Sequence, residues 1–294
     1  MPFVRLGLET ARIPHVDRYG LIWLGRGELY VSSGTLRFRC AGIDGLPPGE
    51  YDIPYQNVSM ILLAPGTTIT HDVFRLTANH GTSIIAVGED GVRMYTAPPF
   101  GPDRSILARR QVSLWANLDS RNQIARKMYA IRLGEVFPRK DIAALRGLEG
   151  ARTREIYKRT AQKFGIKWNG RRYDRSNPDA ADLPNQAINH ASTAVQAAAE
   201  IAVAATATIP QLGFIHEDSS RSFALDIADL FRDVATLPIA FTGVSLYEKD
   251  PAVSLERHVR KLAGREFSRR KLIPDMIEKI KEILGDANDT YCNE

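Results

Sequence analysis

Cysteine is nearly absent from this chain. Only Cys40 and Cys292 occur in 294 residues, and no C-x-x-C pair exists, so neither a disulfide framework nor a thiolate zinc site organises the fold. A reducing cytoplasm is the expected compartment. Long apolar runs are missing as well. The most apolar stretch, Ala191–Pro210, is alanine-rich and carries Gln196 and Glu200, whereas a spanning helix needs about 20 strongly apolar residues. It reads as a buried small-residue helix that lets its neighbours pack closely, and no membrane partner is expected. Met1–Arg12 has no apolar h-region and no small-residue cleavage site, so it is not expected to be a secretory signal.

Acid is scarce in one block. Residues 121–175 hold 16 basic side chains against 5 acidic, a local excess of +11, while the whole chain is only +5 and residues 1–100 hold 8 against 9. So dense an excess is the footprint of a polyanion partner. Apolar and charged contents of 44% and 25% suffice for packed cores, and the length accommodates two modest domains.

The hydrophobic pattern changes character part-way along the chain. Leu21–Leu24, Glu28–Val31, Thr35–Arg39 and Val58–Leu63 are short aliphatic and aromatic runs punctuated by glycine and Pro47-Pro48, which predicts a strand meander or small sandwich. A short helix is expected at His71–His80, followed by a hairpin of Ser83–Val87 with Val92–Tyr95 across Gly88-Glu-Asp-Gly91. Pro98-Pro99 and Gly101-Pro102 mark a linker at 97–103. Beyond it the period becomes helical over Arg104–Asn117, Ser120–Leu133, Arg139–Phe164, Asn185–Thr206, Ser222–Arg232, Ala252–Leu262 and Ser268–Leu284. The expected architecture is α+β, with a β-rich domain over 1–96, an all-α domain over 104–284 and a short polar tail at 285–294.

Three segments carry candidate chemistry. In Ser222-Phe-Ala-Leu-Asp-Ile-Ala-Asp229, Asp226 and Asp229 lie three apart on one helical face. Two such carboxylates near apolar neighbours repel unless a cation or basic groups neutralise them. An exposed acidic stripe would show the same spacing. In Gly213-Phe-Ile-His216, the imidazole precedes that helix by a short polar loop; taken alone, such a histidine is more often a satisfied half-buried one. In Leu145-Arg-Gly-Leu-Glu149-Gly-Ala-Arg-Thr-Arg154, two glycines beside a glutamate each cost a helix about 1 kcal/mol relative to alanine. Small neighbours would let a backbone or a phosphate approach Glu149, among Arg146, Arg152 and Arg154, although a surface Glu–Arg network is the plainer alternative. One imidazole and two or three carboxylates in a basic domain suit Mg²⁺ or Mn²⁺ on a nucleic-acid phosphate. Trp168, Arg171, Arg172 and Tyr173 interleave aromatics with guanidiniums, a pattern able to contact phosphates and stack on bases. A second basic run, including Arg260, Arg269 and Lys271, fits phosphate neutralisation or a solvated helix face.

Several strings occur together in order: Pro65-Gly-Thr-Thr-Ile-Thr-His71, Val87-Gly-Glu-Asp-Gly-Val-Arg-Met-Tyr95, Leu145–Arg154, Trp168–Asp174, Gly213–His216, Ser222–Asp229 and Lys271-Leu-Ile-Pro274. Read together they resemble the CRISPR-associated spacer-acquisition endonuclease/integrase, the larger adaptation subunit, and most closely its type I-E branch. The resemblance implies an N-terminal β domain and a C-terminal α domain. It implies that Glu149, His216 and Asp229 ligate the metal, with Asp226 supporting the site as a further catalytic group that orients water or accepts a proton. Arg232, one turn beyond Asp229, would steady the scissile phosphate. It also implies a homodimer, a small ferredoxin-like second adaptation protein as partner, and joining of the 3′ ends of captured double-stranded DNA into a CRISPR array. Where relatives carry an aromatic wedge in the β domain, this chain has Arg26, with Tyr19 and Trp23 nearby. A metal-dependent nuclease for branched DNA in repair, a non-catalytic DNA scaffold and a small-molecule metallohydrolase are the alternatives; the +11 block has no purpose in the last.

Overall fold

The computed structural model describes residues 20–42, 46–96, 105–134, 142–172 and 181–285, without the side chains of 142–146, 148 and 151. The predicted linker, Tyr173 and the tail beyond 285 therefore lie outside the described residues, as does the side chain of Arg146. Contacts divide the chain into two compact units, Met1–Val87 with Tyr95–Ser105, and Gly88–Met94 with Ile106–Glu294.

The first unit holds two sheets. β1 (Leu21–Leu24), β5 (Met60–Leu63) and β7 (Ser83–Ala86) pair in the order β1-β5-β7, both pairings parallel. β2 (Gly27–Ser32), β3 (Thr35–Cys40), β4 (Gly49–Asp52) and β6 (Thr67–Ile69) pair in the order β4-β3-β2-β6. Among the described residues, β2–β3 and β3–β4 are the antiparallel pairings of strands adjacent in sequence, so the expected meander is realised there over three strands. The reason is α1 (His71–His80): a helix between β5 and β7 carries the chain back over the sheet, and parallel strands require such a crossover. At the β2–β3 corner, Ser33 and Gly34 both take positive φ, 51° and 77°, as a tight hairpin turn demands. Leu29, Leu36 and Phe38 from one sheet, Ile61 from the other and Val73 from α1 form one buried cluster.

The expected hairpin at 83–95 is reduced to a single antiparallel bridge. After β7 the chain makes a 3₁₀ turn at Glu89–Gly91, with Asp90 at φ 56°, leaving two backbone bonds across the loop, Gly88 N to Arg93 O and Tyr95 N to Ala86 O.

The second unit is helical: α2 (Ile106–Ala116), α3 (Leu118–Leu133), α4 (Ile142–Lys163), α5 (Leu183–Ala205), α6 (Ser222–Leu230), α7 (Leu237–Lys249), α8 (Leu255–Arg270) and α9 (Leu272–Leu284). α5 is the small-residue helix expected from its alanines; it buries Ala191, Ala198, Ala199 and Ala202 among others and packs against α6, α7, α8 and α9. Small side chains let four helices approach one axis. No helix among the described residues is long and apolar enough to cross a membrane. Two expectations fail in the last third. α7 was not anticipated, and α8 runs unbroken to Arg270, ending where Lys271 turns to φ 52°.

Candidate metal centre

α6 follows a loop whose path is fixed from both sides. From α2, the fully buried Gln111 donates through Nε2 to the carbonyls of Ile209 and Leu212 and accepts through Oε1 from Ile209 N. Trp115 Nε1 donates to Gly213 O at 2.9 Å. Gly213 has no room for a side chain: a Cβ there would stand 2.3 Å from His216 O and 2.7 Å from Ser222 Cβ. The tight path aims three consecutive N–H groups at Asp226 on α6. Its Oδ2 accepts from Phe214 N at 2.6 Å and Ile215 N at 3.1 Å; its Oδ1 accepts from His216 N at 3.0 Å and faces His216 Nδ1 at 2.7 Å.

Both oxygens of Asp226 are thereby committed, and its side chain has no exposure. These contacts position His216. The imidazole is half-buried, and its hydrogen bond to Asp226 raises its pKa against the opposing effect of burial. In the neutral ring, giving Nδ1–H to the carboxylate leaves the lone pair on Nε2.

A cleft of about 550 Å³ is lined by His216, Asp226, Asp229, Glu149, Arg132 and Arg232. The structure thus brings together the imidazole and the three carboxylates singled out in the sequence. It does not set them as a closed ligand shell: among the described residues no three His, Cys, Asp or Glu side chains are grouped to hold one ion. Guanidiniums stand between them instead. Arg132 Nη1 pairs with Glu149 and lies 3.6 Å from Asp229 Oδ2, while Arg232 Nη2 pairs with Asp229 Oδ1. Burial opposes the charge on Arg232, yet Asp229, Tyr157 and Glu149 hold its pKa above the ordinary arginine value. Asp226 and Asp229, three apart on α6, serve different neighbours: Asp226 the 214–216 loop, Asp229 the guanidinium of Arg232.

The glycines beside Glu149 leave open space; a Cβ on Gly147 or Gly150 would meet nothing within 4 Å. This is the access reading, not close helix packing. Arg152 and Arg154 are exposed on α4. Trp168 is half-buried and packs on Tyr157 and Phe241, with ring centroids 5.4 and 6.0 Å apart. Arg171 donates to Asn185 Oδ1 and Asn189 Oδ1, holding its own loop on α5, while Arg172 is exposed. Arg260 lines a separate recess of about 270 Å³ with Arg93, His190 and Glu256. Arg269 pairs with Glu266, and Lys271 is exposed at the α8–α9 break. Arg132, Gln111, Trp115 and Asp233 were not identified from the sequence.

The chemistry defines a class first: an all-helical unit, preceded by a strand-rich one, whose cleft sets two carboxylates and an imidazole among guanidiniums. The family described as CRISPR associated protein Cas1 matches residues 129–251, which span every residue of the cleft but one. CRISPR-associated endonuclease Cas1 3 of Methanospirillum hungatei JF-1 is 35% identical over 273 residues, 92% of this chain and 88% of that protein. CRISPR-associated endonuclease Cas1 of Escherichia coli K12 is 34% identical over 274 residues, 93% and 87% respectively. The crystal structure of a TtCas1–DNA complex matches with a TM-score of 0.81 at 29% identity, covering 92% of this chain and 98% of that one. The chain belongs to the Cas1 family.

Proposed function

We propose that this protein is a divalent-metal-dependent DNA endonuclease and integrase of CRISPR adaptation, with Glu149, His216 and Asp229 as ligands of Mg²⁺ or Mn²⁺. The observation that carries this reading is the Asp226–His216 pair beside Glu149 and Asp229 on one cleft. A histidine held through Nδ1 by a buried carboxylate presents Nε2 as a ligand of fixed orientation, and two carboxylates complete a donor set that suits a hard cation. The names of the relatives, endonucleases, and the DNA bound in the TtCas1 crystal structure support the same reading.

When bound, the cation polarises a backbone phosphate and makes the attacking hydroxyl or water a stronger nucleophile. The chain's own groups do the rest. Arg232, with 30% of its side chain exposed, turns from Asp229 toward the phosphate and offsets charge at the scissile oxygens. Arg152, Arg154 and Arg172 hold the duplex by its backbone. Attack by a 3′-hydroxyl breaks the phosphate's bond to another 3′-oxygen and forms the joined strand, the proton passing from the attacking to the leaving oxygen. Water in the same place cuts. The partners of this reaction are captured duplex DNA and a CRISPR repeat, a second copy of the chain, and the small ferredoxin-like adaptation protein.

Incubation of a short 3′-hydroxyl duplex with a supercoiled array plasmid, with and without the partner, in Mg²⁺ or Mn²⁺, tests this. Asp229→Ala and His216→Ala are expected to reduce joining to background while duplex binding by gel shift persists. Normal joining by either variant in Mn²⁺ would rule the site out.

A further inference from the structure

The geometry points to Arg132 as a resident counter-cation of this centre, holding Glu149 and Asp229 together until a divalent cation takes their oxygens and then passing to Asp233. This rests on the metal reading above and adds a positioning residue to it.

Arg132 sits near the end of α3 and is more deeply buried than the other guanidinium of the cleft and than both carboxylates it faces, with 4% of its side chain exposed against 30% for Arg232 and 19% for Glu149 and for Asp229. Its fork serves two elements at once. Nη1 pairs with Glu149 and reaches Asp229; Nη2 donates to Thr153 Oγ1 at 3.1 Å, one turn from Glu149 on α4. A planar guanidinium is suited to this double engagement, and a lysine is not. Two carboxylates facing one cleft repel each other unless a cation stands between them, and here that cation is part of the chain. A divalent ion that takes both carboxylates must displace this guanidinium, and so deeply buried a charge cannot be left without a partner. Arg232 can turn outward, being more exposed; Arg132 cannot.

Asp233 is the acid placed to receive it. It lies in the π-helical turn Arg232–Thr236 that directly follows α6. Its Oδ1 is buried and, among the described residues, has no hydrogen-bond partner; Arg132 Nε is in the same condition. Burial raises the pKa of Asp233, and Arg132 is the strongest opposing influence, ahead of Arg232. A buried carboxylate oxygen and a buried guanidinium nitrogen, each short of a partner, are what a second position for the guanidinium requires.

The test uses the full chain. In EDTA, melting of wild type, Arg132→Met, Asp229→Asn and the double variant gives the coupling between the two sites. Arg132→Met is expected to lower Tm by roughly 5–10 °C, with Asp229→Asn recovering part of the loss. Saturating Mn²⁺ is expected to raise the Tm of Arg132→Met by more than that of wild type. Arg132→Lys, which keeps the charge, substitutes if the methionine variant does not fold, and is expected to fall between the two. Calorimetric titration of Asp233→Asn is expected to show Mn²⁺ affinity reduced about tenfold, with its melting point in EDTA near that of wild type. Mn²⁺ binding by wild type with no Arg132–Asp229 coupling in EDTA would overturn the counter-cation role and leave the metal reading standing. Unchanged Mn²⁺ affinity in Asp233→Asn would overturn the transfer. No Mn²⁺ binding by wild type would overturn the metal reading and the transfer together, while coupling in EDTA would still support the counter-cation role.

Discussion

Asp226 accepts from three consecutive backbone N–H groups and faces an imidazole nitrogen, and that arrangement requires a carboxylate. Asparagine is the same size, but its NH₂ must face either the N–H groups of Phe214 and Ile215 or the N–H and imidazole of His216. The first orphans buried donors. The second puts a donor against Nδ1, moves the ring proton to Nε2 and removes the lone pair a cation needs. Asp226→Asn is therefore expected to cost about 2–3 kcal/mol in urea denaturation and to weaken Mn²⁺ binding by roughly 10–100-fold. Mn²⁺ affinity equal to that of wild type would refute the orienting role. The residues of this site were only partly legible in the sequence. Asp226, Asp229, His216 and Glu149 stood out because carboxylates and imidazole are unusual beside apolar runs and glycines. Arg132 did not, because one arginine among 16 basic residues in its block has no local signature. Gln111 and Trp115 hold the loop from residues 98 positions away or more, a distance no periodic pattern spans.

Elements were legible where one face is wet. α1 and α3 show apolar and polar sides and were placed to within a few residues; α5, with Thr193 its one exposed residue, was read from its run of alanines instead. α7 was missed for a physical reason. It is buried nearly all round, so Leu237, Ile239, Ala240, Phe241 and Val244 give no alternation to read, and Pro238 and Gly243 read as breakers. Pro238 occupies the first turn, where its missing N–H costs nothing. Gly243 meets α8 closely: a Cβ there would lie 2.6 Å from Val259 Cγ2. The false break within α8 has the same origin. Gly264 looks like a helix end, but it is where the Glu89–Gly91 turn seats itself, and a Cβ on Gly264 would fall 2.0 Å from Asp90 Cβ. Gly264→Ala is accordingly expected to destabilise the protein by about 1–3 kcal/mol through overpacking. Adding Asp90→Gly removes the opposing atom and relieves the positive φ at Asp90, so the double variant should melt close to wild type. A double variant no more stable than Gly264→Ala would show that the cost lies within α8 itself.

Across the whole molecule, charge is divided by role. On the strands, arginines are matched locally: Arg39 pairs with Glu28 and Glu50, and Arg37 with Asp52. These exposed pairs contribute little stability, but they leave little net field for a polyanion. On α4, Arg154, Lys158, Arg159 and Lys163 are all exposed, within the block whose excess is +11. A phosphate backbone bound there releases counterions, and the logarithm of affinity falls with the logarithm of salt by about 0.9 for each phosphate neutralised. Arg154 and Lys158 stand four apart and share a helical face. Arg154→Ala/Lys158→Ala is therefore expected to reduce the magnitude of the salt slope for duplex binding by about 2, measured by fluorescence anisotropy over a salt series, with little change in which duplex is preferred, because backbone contacts carry no sequence information. Arg39→Ala, which removes an arginine already matched on its sheet, should leave the slope as it is. Equal slopes for all three proteins would place the DNA somewhere other than α4, and a slope changed only by Arg39→Ala would place it on the strands.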